Sequence, residues 1–273
     1  KKVVGNDATY EAVDGDTVKV VFTADAGYTI FDSSVIEYEE IGEDKTIEGA
    51  DLPLCLETPD YLSFTAVGGD VTISMKDGDE PLMLEWSFDK DASPEDWAEF
   101  DAIEGSNVVV AAGDTVYFRR QGADVADKLN CWNFVFETEG TVEADGNVMS
   151  LLDRTCVSKT VGKEAFWYLF SMCESLTTAP KLPATNLGMS CYTHMFDGCI
   201  ALTNAPALPA KNLAEDCYSS MFGDCWSLTA APALPATELA AGCYQYMFAG
   251  TSLTSAPELP ATNLTENCYH GMF

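Results

Sequence analysis

The chain has 273 residues, 47% of them hydrophobic, and 44 acidic against 14 basic side chains give it a net charge of −30. That length supplies two or three domains with real cores, and no apolar run approaches the roughly 18 residues of a spanning helix. The charge excludes nucleic acid and anionic lipid as partners. It is concentrated in residues 1–150, which hold 34 acidic and 9 basic groups.

In chain order, residues 1–57 read as a small β domain. "DTVKVVFTADAGYTIF" carries β-branched and aromatic residues in near alternation, broken at Gly27; "SSVIEYEEIG" and "DKTIEGADLPLCLE" follow, with turn chemistry at Asp14-Gly15-Asp16 and Gly42. Residues 58–150 read as a second, β-sandwich-like domain. Its runs "YLSFTAV", "DVTISMK", "LMLEWSF", "NVVVAAGDTVYFRR" and "NFVFETEGTVEA" alternate with turns at Gly68-Gly69, Asp77-Gly78-Asp79, Gly113-Asp114 and Gly146-Asn147. "SPEDWAEF" predicts either a helical turn capped by Ser93 with Pro94 first, or a loop carrying Trp97.

Residues 151–273 repeat themselves. Cys191, Cys217 and Cys243 stand 26 apart, as do Met195, Met221 and Met247. "AFWYLFSMCESL" from Ala165 is an earlier, degenerate copy, and "CYHGMF" at the end is a partial one. A fixed period of this size means stacked units sharing one core, because a single unit cannot bury its own apolar face. Cys217 and Met221 are four apart, as are Tyr218 and Phe222, which predicts a short helix with Gly223 as its left-handed stop. A short strand is expected at Leu176, Leu202, Leu228 and Leu253, ended by prolines such as Pro232 and Pro235.

The "MFxGC … SLT … P" pattern resembles the BspA-like, bacterial surface-protein type of leucine-rich repeat, and more closely the Cys- and Met-Phe-containing repeats of Bacteroides cell-surface lipoproteins. The resemblance covers about residues 165–273, and "PLMLEWSFDKDASPEDWAEFD" with "GDTVYFRR" resembles the β domain that precedes such repeats. Residues 1–57 resemble nothing beyond a general surface β module. The expected fold is therefore two small β-sandwich-like domains, the first read from its residues alone, followed by the α/β right-handed solenoid of short strands and short helices that the resemblance implies. The resemblance also implies an exported, cell-surface or outer-membrane location and a binding or adhesion role rather than catalysis. A lipid anchor and further repeats would then lie outside residues 1–273. Ala165 and Thr251 depart from the pattern at cysteine positions.

Ten cysteines leave three readings open: reduced core residues; pairs within a repeat (191–199, 217–225); or pairs between repeats (Cys173–Cys191, Cys199–Cys217, Cys225–Cys243). His194 and His270 are the only histidines and there is no C-x-x-C, so no metal site is expected, nor any cofactor. "DKDASPED" has Pro94 where a calcium loop needs glycine, leaving weak cation binding by the acidic half as a minor alternative. No nucleophile, metalloprotease or phosphate-loop motif is present.

Binding is therefore sought where the repeats vary. The slots Trp167/His194/Ser220/Tyr246, Thr178/Asn204/Ala230/Ser255 and Lys181/Ala207/Ala233/Glu258 change from copy to copy, and Trp226 replaces Ser or Ile. Trp226, Tyr246, His194, Lys181, Asn204 and Glu258 are the candidate ligand residues on a monomer that engages a host protein or glycan. The alternatives are a structural spacer, or a carbohydrate-binding accessory lipoprotein whose β domains stack sugar on Trp86 or Trp97.

Overall fold

The computed structural model describes residues 59–78, 83–103, 105–122, 125–126, 128–129 and 132–273, together with the backbone of four short strands before residue 59. Residues 1–59 and 60–273 form two compact units. In the first, strand β1 (Val18–Val21) pairs antiparallel with β3 (Val35–Tyr38), and β2 (Tyr28–Ile30) with β4 (Cys55–Glu57). The turns expected at Asp14-Gly15-Asp16 and Gly42, the Cys55 side chain and Cys131 lie outside the described residues.

The second unit opens as a sandwich. Its strands are β5 (Leu62–Val67), β6 (Val71–Lys76), β7 (Leu84–Ser87), β8 (Ala98–Phe100), β9 (Val108–Val110), β10 (Thr115–Arg120), β11 (Asn133–Thr138) and β12 (Thr141–Asp145). One sheet has the order β12-β5-β10-β7-β8, the other β11-β6-β9, and every pairing among these strands is antiparallel. Alternation does what strand geometry requires: Val71, Ile73 and Met75 are buried while Thr72 and Ser74 are half-exposed. The sheets meet through rings. Phe64 and Phe118 of the larger sheet lie 4.9 and 5.6 Å from Phe134 of the smaller, edge to face. Pro94–Asp96 forms a single 3-10 turn, and Ser93 makes no side-chain cap bond to it.

A charged cluster is set in this sandwich. Arg119, 4% exposed, bonds Glu85 at 2.6 Å and the Tyr61 hydroxyl at 3.2 Å, and lies 3.7 Å over the Trp97 ring. Arg154 approaches the same carboxylate at 3.8 Å. Its partial burial and the Arg119 charge beside it lower its pKa.

The core continues without a break into the repeats. Strand β14 (Leu176–Thr178) adds to the edge of β12 in parallel, and β13 (Thr160–Val161) pairs with β15 (Asn186–Leu187). Beyond that, the expected α/β solenoid is not what forms. The described residues contain no α-helix, and the strands do not continue as a solenoid's parallel ladder. The "CYxxMF" segments are runs of turns in which alternate amides do different things. Leu169, Ser171 and Cys173 donate three residues back, to Phe166, Tyr168 and Phe170, while Phe166, Tyr168 and Phe170 donate to Cys191, Thr193 and Met195 of the next repeat. A helix cannot form when half its amides are spent between repeats.

Each run turns left-handed at every fourth residue: Glu164, Tyr168 and Met172; Ser190, His194 and Gly198; Asp216, Ser220 and Asp224; Gly242, Tyr246 and Gly250. This four-residue period explains the helical look of the sequence, because i and i+4 share a face in either conformation. Cys217, Tyr218, Met221 and Phe222 are all buried. The left-handed stop is Asp224, not Gly223. Gly223 is instead a close approach, where an added Cβ would lie 2.6 Å from Asp197 Oδ1. After β14, the "SLT" segments make one or two backbone bonds to the rung before, such as Thr203 to Thr177, Ser227 to Ile200, and Ser252 and Thr254 to Leu228 and Thr229, before prolines remove the next donors.

Two files of stacked rings run through the turns. Phe134, Phe170, Phe196, Phe222, Phe248 and Phe273 form one, at 5.4 to 6.0 Å centroid spacing. Phe166, Tyr192, Tyr218, Tyr244 and Tyr269 form the other, at 5.7 to 5.8 Å. The phenylalanine file starts in β11, so the sandwich serves as the first rung of the stack.

The eight described cysteines are free thiols. The pairs Cys173–Cys191, Cys199–Cys217 and Cys225–Cys243 are not formed, and each would join two different files. Cys173, Cys199 and Cys225 donate to the Phe134, Phe170 and Phe196 carbonyls at 3.0 to 3.2 Å, one rung back. Cys191, Cys217, Cys243 and Cys268 are buried in the other file. Burial raises the Cys243 thiol to about 11 and the Cys225 thiol to about 12.

Candidate ligand-binding groove on the repeat face

The middle left-handed position of each turn run forms an outward-facing file: Tyr168, His194, Ser220, Tyr246. Their own amides are tied to the next rung, bonding Thr193, Ser219, Gln245 and His270 carbonyls at 2.8 to 3.1 Å. The side chains therefore stand on a fixed frame. The first member is Tyr168, 26 residues before His194; the sequence reading chose Trp167, its neighbour. Applying the period strictly backwards from Ser220 would have found it.

Three of the four side chains are rings. Tyr168 stacks on His194 at 4.7 Å and 8°, and Trp167 leans on Tyr168 at 4.9 Å. His194 Nδ1 meets Asp197 Oδ2 at 2.9 Å, a contact that ties the imidazole to its own turn. Partial burial, with the Asp197 charge second, raises the Tyr168 phenol. Tyr246 bonds His270 at 3.0 Å through its hydroxyl, their rings meeting edge to face. Ser220 is the small member, and the file dips there. The result is an open groove of about 430 Å³ walled by Trp167, Tyr168 and His194 on one side and Tyr246 on the other. Asp216, Ser219, Ser220 and Gln245 line it between the walls, and Glu164 joins at the Trp167 end.

Of the six candidate residues, His194 and Tyr246 meet in this groove; Trp226, Lys181, Asn204 and Glu258 do not line it. Trp226 is 61% exposed elsewhere on the stack. Lys181 is paired with Asp60 at 2.6 Å and Asp145 at 3.6 Å, and the bond to Asp60 raises its pKa. Asn204 bonds Thr203, and Glu258 is exposed. The sequence did not single out Asp216, Ser219 or Gln245, whose only signal was their adjacency to the variable file.

A second opening, of about 650 Å³, lies at the sandwich edge between Trp86, Phe88 and Asp89, Asp91 and Asp96. Trp86 and Phe88 meet edge to face at 5.3 Å. Trp97 cannot stack on a ligand: it is 6% exposed, bonds the Ala92 carbonyl and carries Arg119 on its face. No cluster of three or more metal-ligating side chains occurs among the described residues, nor does a helix long and apolar enough to cross a membrane. No family model, curated protein or solved structure matches the chain.

Proposed function

We propose that the chain is a non-enzymatic binding protein working at a cell surface, whose repeat face holds an extracellular ligand. The observation that carries this reading is the break in the outward ring file at Ser220, which makes a walled groove on a backbone bonded rung to rung. A repeat frame that varies only in what it displays is the usual arrangement of a binding array. Cys156, Cys173, Cys191, Cys225 and Cys243 offer no ready nucleophile, since burial keeps them protonated well above neutral pH. The cell-surface part rests on the resemblance of the repeats.

The test is Ser220→Tyr. Tyrosine fits that backbone, because Tyr168 and Tyr246 hold the same left-handed φ, 60° and 53°, and it would fill the dip. The immobilised chain is presented with extracellular matrix proteins and with polysaccharides. Binding that falls by roughly tenfold or more in the variant, about 1.4 kcal/mol, supports the reading, and no binding to either panel, or binding indifferent to the variant, overturns it. The opening beside Trp86 favours a second reading, a sugar site on the sandwich; Trp86→Ala would then abolish polysaccharide binding while Ser220→Tyr spared it.

A further inference from the structure

We infer that the groove at Ser220 takes a neutral oligosaccharide, an inference that rests on the binding reading above. Charge narrows the ligand first. Glu164 and Asp216 line the groove with no Lys or Arg among its walls, and His194 is engaged by Asp197. The repeats themselves, residues 151–273, hold 10 acidic and 5 basic side chains, which adds a weaker field of the same sign. Phosphorylated, sulfated and sialylated ligands are therefore repelled, as is an acidic peptide.

Surface chemistry narrows it further. An apolar protein anchor wants a closed, desolvated pocket, whereas this groove is open and its floor is polar. The volume, about 430 Å³, lies within the range of small-ligand sites, roughly 300–1,000 Å³. The floor alternates acceptor-only carboxylate (Asp216) with groups that both donate and accept (Ser219, Ser220, Gln245). A sugar's hydroxyls are likewise both donors and acceptors, and its C–H faces are the apolar surface that aromatic walls contact. His194 and Tyr246 stand two rungs apart on a stack whose rungs repeat every 5.8 Å, which leaves room for a saturated ring between them. Tyr168 behind His194 and His270 behind Tyr246 brace the two walls.

The experiment uses the whole chain on an array of neutral hexose and N-acetylhexosamine oligosaccharides, with sialylated and sulfated counterparts and a panel of extracellular proteins, before and after periodate oxidation of all ligands. The expected result is binding to neutral members, abolished by periodate, nearly independent of salt, and weakened roughly tenfold or more in both Ser220→Tyr and Gln245→Leu. Thermal unfolding of each variant confirms that it folds, and Trp226→Ala, which removes an exposed ring outside the groove, should leave the binding unchanged. Ser220-dependent binding to proteins that survives periodate overturns the sugar inference and leaves the binding reading standing. A preference for the sialylated or sulfated members overturns the inference through its electrostatics. Silence across the array, or binding untouched by Ser220→Tyr, overturns both.

Discussion

Tyr192 sits in the middle of the tyrosine file, 1% exposed, with Phe166 at 5.7 Å on one face and Tyr218 at 5.8 Å on the other. Its hydroxyl is buried without a hydrogen-bond partner, and burial raises its pKa well above the ordinary phenol value. A buried, unpaired hydroxyl costs about 1–3 kcal/mol. Replacing Tyr192 with phenylalanine removes that cost and keeps the ring in both stacks. Phe166 occupies the equivalent place one rung earlier, so the file accepts the side chain. The packing lost with one oxygen offsets part of the gain, and we expect a net stabilisation of about 1 kcal/mol. For a unit of this size that raises Tm by roughly 2–4 °C. The assay is thermal unfolding followed by circular dichroism, with urea unfolding to give the free energy directly. If Tyr192→Phe loses about 1 kcal/mol or more, the hydroxyl has a bonding role and the reasoning fails.

Three other expectations concern the same core. Thiols with raised folded pKa values stabilise the protein fully below the unfolded value near 9 and progressively less above it. Stability should therefore be flat through neutral pH and fall beyond pH 9, by about 1.4 kcal/mol per pH unit for each thiol ionising on unfolding; urea midpoints across that range, compared with a Cys199→Ala, Cys225→Ala variant of shallower slope, would show it. Alkylation under native conditions followed by peptide mapping should leave Cys191, Cys199, Cys217 and Cys225 unmodified until the chain is unfolded, and rapid native labelling would contradict their burial. Glu85→Gln should cost about 3 kcal/mol or more, because Arg119 is left buried without its carboxylate; a urea midpoint within error of the parent would mean the pair is not structurally important.

The sequence alone determined that residues from about 165 onward are stacked copies, since a period of 26 with fixed Cys, Tyr, Met, Phe and Leu has no other economical reading. It also determined that those fixed residues face inward and that the varying ones face out, because burial follows apolar periodicity whatever the backbone does. The sandwich strands were legible for the same reason: Val71, Ile73 and Met75 alternate as a half-buried strand must. The backbone of the repeats was not legible. A four-residue spacing such as Cys217 to Met221 fits a helix and a run of turns with a left-handed residue every fourth place equally well. What decides between them is where the alternate amides go, and their acceptors lie 25 residues away in the next rung. The cysteines were undetermined in the same way: the period puts Cys173, Cys199 and Cys225 in one file and Cys191, Cys217 and Cys243 in another, but only the tertiary structure turns the first file's thiols onto the phenylalanine carbonyls one rung back. The groove, finally, needed that register too. Ser220 is legible in the chain only as one member of a varying slot, and it becomes the floor of a site because His194 and Tyr246 are brought to either side of it.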